Sequence, residues 1–191
     1  MVVSSDRKAA AHAGTGAVGT PRVRRAYFEC RYGQLHVHHV MPAGGGFDEA
    51  TTVVCIPGAP GSGRAFYGVL CALGRDRSIY APDLPGAAES DPAPAAAGPG
   101  ELAGALADFL DSMRFRRVNV IAYGSGGAVA LALIEARRNL IGKLVLSATS
   151  NLAVPVGLPV LQLELGVSAD SGARQPADPV LRRLTEFLGL N

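Results

Sequence analysis

The sequence lacks features that several large classes of protein require. Its three cysteines form no CxxC pair, so we expect buried free thiols in a reducing compartment. No apolar run approaches the roughly 18 residues needed to cross a bilayer. The first twenty residues also lack an apolar stretch of the signal-peptide type. The sequence therefore predicts a cytoplasmic protein with no membrane partner.

A strong excess of one charge is also missing. The 18 basic residues nearly balance the 16 acidic ones, which leaves a net charge of +2. The basic residues cluster only in "PRVRRAYF" and "RFRR", which we interpret as solvated edges. Proteins that hold nucleic acid or anionic membrane by electrostatics need a much stronger positive field. We therefore expect no nucleic-acid partner.

Length and composition indicate one folded domain. The 191 residues are 48% apolar, enough for a single core but too few for two domains of ordinary size. We expect residues 1–22 to form a disordered tail and residues 23–191 to form the domain. The 24 glycines and 13 prolines, together with many alanines, are typical of a bacterial protein from a GC-rich genome.

Strand and helix patterns alternate from Arg24 onward. Two alternating runs around Gly33 predict a hairpin, and the apolar run "TTVVCI" predicts a buried parallel strand. Further strands are predicted at "RSIYAPD", "RVNVIAY", "GKLVLSAT" and "LPVLQLELG", with helices between them and a last helix at "DPVLRRLTEFLGLN". This alternation predicts an α/β fold, a mostly parallel twisted sheet with helices on both faces.

Four segments in chain order resemble the α/β-hydrolase superfamily, over about residues 24–150. "CIPGAPGSGRAF" stands where that family has a His-Gly-x-Pro loop, and "VIAYGSGGAVALAL" is similar to its nucleophile elbow, followed by "KLVLSAT". "YAPDLPGAAESDP" resembles its Asp-x-x-Gly-x-Gly-x-Ser segment, with Asp83, Gly86 and Ser90 in place and Ala88 for the second glycine. The resemblance implies an ancestral hydrolase of small ester- or epoxide-type substrates, with the lid and part of the C-terminal sheet reduced or missing.

The position of the nucleophile within this elbow is the central question. An elbow needs small residues two before and two after the nucleophile, which itself takes a positive φ. If Ser125 is the nucleophile, Tyr123 occupies the first small position and should clash. A shift by one places Gly124 in the nucleophile slot, where glycine is unstrained but has no reactive side chain. The backbone N–H groups of Ser125 and Ala59 would then form the oxyanion hole.

The remaining members of a catalytic triad are also missing from their usual places. A serine nucleophile needs a histidine base and an orienting carboxylate, yet all four histidines lie at or before position 39. If "VLQLELG" is the last strand, as the closing helix favours, the family's histidine position falls near Gly172. If it is the seventh strand, Asp170 stands near the family's acid position and the last strand is missing. Both alternatives leave the site without a histidine.

Other candidate sites are weaker, and we expect no metal and no cofactor. His36, His38 and His39 alternate on an early strand without evident cysteine or carboxylate partners, so we interpret them as ordinary strand residues. "GAPGSGRA" has the length of a phosphate-binding loop, but Arg64 and Ala65 replace its lysine and hydroxyl residues.

Three hypotheses about function stay open. The chain is an impaired hydrolase that binds a small acyl-like ligand or a partner, an active serine esterase that uses Ser125, or part of a longer hydrolase. A sheet that has lost its later strands exposes an edge, which either invites a homodimer or needs covering by the tail.

Overall fold

The computed structural model describes residues 21–42, 50–58, 61–95, 97–149, 152–166 and 176–189. The elements in chain order are β1 (Arg24–Cys30), β2 (Gly33–Val40), β3 (Thr52–Ile56), a 3-10 turn (Gly63–Phe66), α1 (Tyr67–Leu73), β4 (Ile79–Pro82), α2 (Pro99–Ser112), β5 (Val118–Tyr123), α3 (Gly126–Ala136), β6 (Ile141–Ser147), β7 (Val160–Gln162) and α4 (Asp178–Leu188). Most of the tail expected at residues 1–22 lies outside the described residues.

The strands form one mixed sheet in the order β1-β2-β4-β3-β5-β6-β7. The strands β3 to β7 are parallel to one another, and β2 is antiparallel to both of its neighbours. The predicted hairpin is confirmed, because β1 pairs with β2 from Arg24 opposite His39 to Cys30 opposite Gly33. The mostly parallel α/β sheet predicted from the alternation of patterns is likewise confirmed.

Helices cover both faces of the sheet, and each face has its own apolar core. The helices α2 and α3 pack on one face against alternate residues of the strands, including Val54, Val120 and Leu144. The helices α1 and α4 pack on the other face with Val53, Ile121 and their neighbours. Residues that alternate along one strand therefore belong to opposite cores, as strand geometry requires.

The connection between β6 and β7 is short. It spans residues 148–159, and its described residues, 148–149 and 152–159, form no helix or strand. This matches the expected reduction of the lid. In the described part of the chain the sheet ends at β7, which pairs only with β6.

The three cysteines are free thiols, as expected, but only one of them is buried. Cys55 is buried, whereas Cys30 and Cys71 are partly buried. No described helix has both the length and the apolar character needed to cross a membrane.

Candidate active site

The candidate site lies at the turn between β5 and α3, at the carboxyl end of the parallel strands. The strand β5 ends at Tyr123, and the turn is closed by a hydrogen bond from the Gly127 N–H to the Gly124 carbonyl (3.1 Å). Gly124 itself is tied to the neighbouring strand, because its N–H donates to the Ser147 carbonyl at 2.9 Å. The turn is therefore held from both sides, by α3 and by β6.

The positive φ of this turn falls on Gly124 and not on Ser125. Gly124 has φ = +54°, a left-handed conformation that glycine adopts without the cost that other residues meet. Ser125 has φ = −64° and ψ = −17°, which is right-handed helical geometry directly before α3. A side chain at position 124 would have room, because a Cβ built there has no neighbouring atom within 4 Å. Gly124 brings no reactive atom to that space.

The segment after β3 packs tightly against the same turn. A Cβ built on Gly126 would lie 2.5 Å from the Pro57 carbonyl oxygen, so only glycine fits this approach. A Cβ on Gly58 would lie 3.1 Å from the Ser125 nitrogen and 3.2 Å from its Oγ. The two loops from which the sequence predicted an oxyanion hole are thus adjacent. Ala59 lies outside the described residues, and Ser125 is exposed at the surface.

The described histidines lie far from this turn. All three are on β2, which is separated from β5 by β4 and β3. Three steps across a sheet span about 14 Å, whereas a base must come within about 3 Å of the nucleophile. His12, Gly172 and Asp170 lie outside the described residues. Within the described part of the chain, no histidine can therefore serve Ser125 as a general base.

A second polar cluster at the same edge of the sheet surrounds Asp83. Its carboxylate is 0% exposed and accepts hydrogen bonds from the Ser62 Oγ and from the Gly63 N–H (2.7 Å). His36 Nδ1 lies 2.7 Å from Asp83 Oδ2, and His38 Nε2 lies 3.9 Å from Asp83 Oδ1. Asp83 thereby joins the end of β4 to the start of the 3-10 turn.

The pairing of these histidines with a carboxylate was not predicted from the sequence. Asp83 is 47 positions from His36 in the chain, so no local pattern joins them. The antiparallel pairing of β2 with β4 brings them together, since Val37 pairs with Pro82, directly before Asp83. His39 points to the opposite face and stacks on Tyr80 with ring centroids 5.7 Å apart. His36 and His38 share one face of β2, with ring centroids 4.7 Å apart, as alternation along a strand requires.

Burial controls the ionisation of two of these histidines. It lowers the pKa of His38, and the nearby Asp83 carboxylate opposes this shift only in part. It also lowers the pKa of His39, where the Arg24 guanidinium acts in the same direction. Both effects favour the neutral imidazole, because the charged form loses its hydration on burial.

The loop that follows β4 departs from the family pattern at one strained position. Gly86 has φ = +83°, and Ala88, which replaces the second glycine of that pattern, has φ = +46°. Ser90 closes the loop, because its Oγ donates to the Asp83 carbonyl (2.8 Å) and accepts from the His36 N–H (2.9 Å). Ala88 therefore adopts a backbone conformation that alanine rarely takes.

Comparison with solved structures shows the same architecture in several proteins. Cfl2 from Burkholderia cenocepacia is 24% identical (TM-score 0.59; 71% of this chain and 47% of that chain covered). The epoxide hydrolase VrEH1 from Vigna radiata is 19% identical (TM-score 0.60; 71% and 43% covered). The naproxen esterase of Bacillus subtilis is 20% identical (TM-score 0.61; 71% and 46% covered). Identities this low establish the fold alone, and the chain spans less than half the length of each of these proteins.

No curated protein sequence matches the chain. The model of the α/β hydrolase fold family matches residues 51–179, about two thirds of the chain. That match covers β3 to β7 with the candidate turn, and it agrees with the resemblance noted in the sequence. The chain belongs to the α/β hydrolase fold family.

Proposed function

We propose that this chain is a hydrolase-fold protein that has lost its catalytic nucleophile and binds a small acyl-like ligand without cleaving it. The observation that carries the proposal is Gly124, which holds the positive φ of the turn and offers no side chain. The covalent step of a serine hydrolase requires a hydroxyl at this point of the turn. A glycine there preserves the backbone geometry of the turn but supplies no nucleophile.

The surroundings of Gly124 support binding. In the proposed site, the N–H of Ser125 and that of Ala59 polarise a ligand carbonyl or hold a carboxylate, as backbone donors do in oxyanion holes. The start of α3 adds the positive end of its dipole. Neighbours of similar fold include an epoxide hydrolase and an esterase, which favours a small organic ligand.

Active-site labelling tests the loss of the nucleophile. The purified protein is treated with a fluorophosphonate serine probe and mapped by mass spectrometry, with Ser125→Ala as the matched control. We expect no adduct on Ser125, because the described histidines lie about 14 Å across the sheet. An adduct on Ser125, absent from Ser125→Ala, would establish an active serine esterase and refute the proposal.

Binding is tested separately, by titrating the ¹⁵N-labelled protein with butyrate as the acyl-like probe. We expect saturable shifts of the amide resonances of residues 124–127, with unchanged resonances in β1. An absence of shifts at millimolar butyrate would contradict the binding half of the proposal. It would leave the labelling result untouched.

We also propose that the edge of β7, which pairs only with β6 among the described strands, supports self-association. The Leu163 N–H donates to the Leu146 carbonyl and the Leu144 N–H to the Pro159 carbonyl, so by alternation the amide of Gln162 faces away from β6. Gln162→Pro removes that outward donor and keeps the inner bonds. Light scattering after gel filtration should show a dimer in the wild type and a monomer in the variant. A wild-type monomer at every concentration tested would refute self-association.

A further inference from the structure

The densest group of potential metal ligands in the described chain lies away from the turn at Gly124. His36, His38 and Asp83 are 1%, 8% and 0% exposed. Each offers one ligand atom, and these atoms all lie within 4.8 Å of one another. Two imidazoles and a carboxylate are the donor types that zinc and related divalent ions take from proteins.

We propose that His36, His38 and Asp83 form a binding site for a divalent transition-metal ion of the zinc class. Two ligands that each lie 2.0–2.2 Å from one tetrahedral ion are about 3.3–3.6 Å apart. His38 Nε2 and Asp83 Oδ1 are 3.9 Å apart, a few tenths of an ångström too wide. The widest separation in the cluster, up to 4.8 Å, has to close by about 1.2 Å, which needs small side-chain rotations when the ion binds.

The orientation of the His36 ring decides which of its nitrogens can share an ion with Asp83. Its Nδ1 lies 2.7 Å from Asp83 Oδ2, whereas its Nε2 lies on the other side of the ring, buried and without a hydrogen-bond partner. An ion held by both residues therefore binds His36 through Nδ1 and replaces the proton between these two atoms, because metal ligands must be deprotonated.

Charge favours a cation at the same place. The Asp83 carboxylate has hydrogen bonds to Ser62, Gly63, Glu89 and His36, which stabilise its charge. None of these described partners carries a permanent positive charge, and a divalent ion would compensate the buried carboxylate. Glu89 adds a second carboxylate on the solvent side, because its Oε2 lies 3.8 Å from His36 Nε2. Glu89 is 54% exposed, which gives an ion a route of entry.

The full chain is first freed of metal with a chelator, and Zn²⁺ binding is then measured by calorimetry. The absorption spectrum with Co²⁺ in place of Zn²⁺ is the second readout. We expect one Zn²⁺ per chain. His38→Gln should weaken binding at least tenfold, because it removes a ligand. His39→Gln is the matched control, since His39 is also 8% exposed but lies on the opposite face of β2. It should bind as the wild type does.

If His38→Gln does not fold, the NMR resonances of the histidine rings in the wild-type protein show which histidines bind zinc. Zinc should shift the resonances of His36 and His38 and leave those of His12 and His39 in place. The proposal is overturned if zinc does not bind, if folded His38→Gln binds with unchanged affinity, or if His12 or His39 carries the shifts. The metal-site proposal does not depend on the turn at Gly124, so its failure would not contradict the proposed function.

Discussion

Gly126 sits where the start of α3 meets the end of β3, and its missing side chain sets the distance between them. A Cβ at this position would lie 2.5 Å from the Pro57 oxygen and 2.6 Å from the Ile56 oxygen. Both atoms belong to the backbone, so they cannot move aside as a flexible side chain would. The same contact fixes the turn that carries Gly124.

We predict that Gly126→Ala lowers the free energy of unfolding by about 1–3 kcal/mol, because it overpacks this contact. Gly100→Ala is the control, since Gly100 lies in α2 and a Cβ built on it meets no atom within 4 Å. That change should be neutral or stabilise by up to about 1 kcal/mol. Urea unfolding gives the free energy of unfolding of both variants. Equal losses in Gly126→Ala and Gly100→Ala would contradict the close backbone contact assigned to Gly126.

Ala88 offers the opposite case, a side chain at a position that suits glycine. Its φ of +46° makes Ala88→Gly neutral or up to about 1 kcal/mol stabilising, because relief of strain exceeds the entropy that glycine adds to the unfolded chain. Ala87→Gly, one position earlier without a positive φ, should instead destabilise by about 0.5–1 kcal/mol. Thermal unfolding compares the stabilities of the two variants. A loss of stability in Ala88→Gly equal to that in Ala87→Gly would show that the Ala88 backbone is not strained.

Arg31 and Asp108 join the β1–β2 hairpin to α2. The guanidinium donates twice to the carboxylate, from Nε and from one terminal nitrogen, each at 2.9 Å. The Arg31 backbone N–H donates to the same carboxylate at 2.9 Å. This geometry fixes the hairpin on the helix, although the Arg31 side chain is 48% exposed and solvent screens the pair.

We predict that Asp108→Asn lowers the free energy of unfolding by about 0.5–1 kcal/mol at pH 7. The hydrogen bond from Arg31 lowers the pKa of Asp108 below its ordinary 3.8. The stabilisation is therefore fully present above pH 3.8 and is lost as the pH falls through the lowered pKa. Urea unfolding at several pH values should show wild type and variant converging in acid.

Asp111→Asn is the comparison for this pair. Asp111 meets Arg137 through one terminal nitrogen only, and both side chains are largely exposed. Its effect should be the smaller of the two. A loss as large as that of Asp108→Asn would show that the bidentate geometry adds nothing.

The two cores on opposite faces of the sheet share every central strand. Leu184 of α4 is 0% exposed in the core that also holds Phe66 and Val69, whereas Phe109 and Leu133 belong to the other. Side chains from one strand enter both cores alternately. Loss of packing on one face should therefore weaken the whole sheet.

We predict that Leu184→Ala lowers the free energy of unfolding by about 2–5 kcal/mol. The variant should still unfold in one transition. Leu181→Ala, at a half-buried position of the same helix, should cost less. Circular dichroism and tyrosine fluorescence should give coincident urea curves in both variants. Separate transitions would mean that the two faces unfold independently.

Much of the architecture could be predicted because it depends on local patterns. Strand and helix periodicity, the glycines of the β5–α3 turn and the hairpin at Gly33 involve residues close together in the chain. The assignment of Gly124 to the nucleophile slot came from the same local pattern and stays a proposal. Ala59, Asp170 and Gly172 lie outside the described residues, so their expected places remain predictions.

The order of amino acids alone decides that all four histidines of this sequence lie at or before position 39. The tertiary structure alone decides that His36 meets Asp83 at 2.7 Å and that no described histidine approaches Ser125. Strand periodicity shows which face a side chain occupies, but it does not show which strand will be its neighbour. That choice depends on packing the two cores as a whole, which joins residues far apart in the chain.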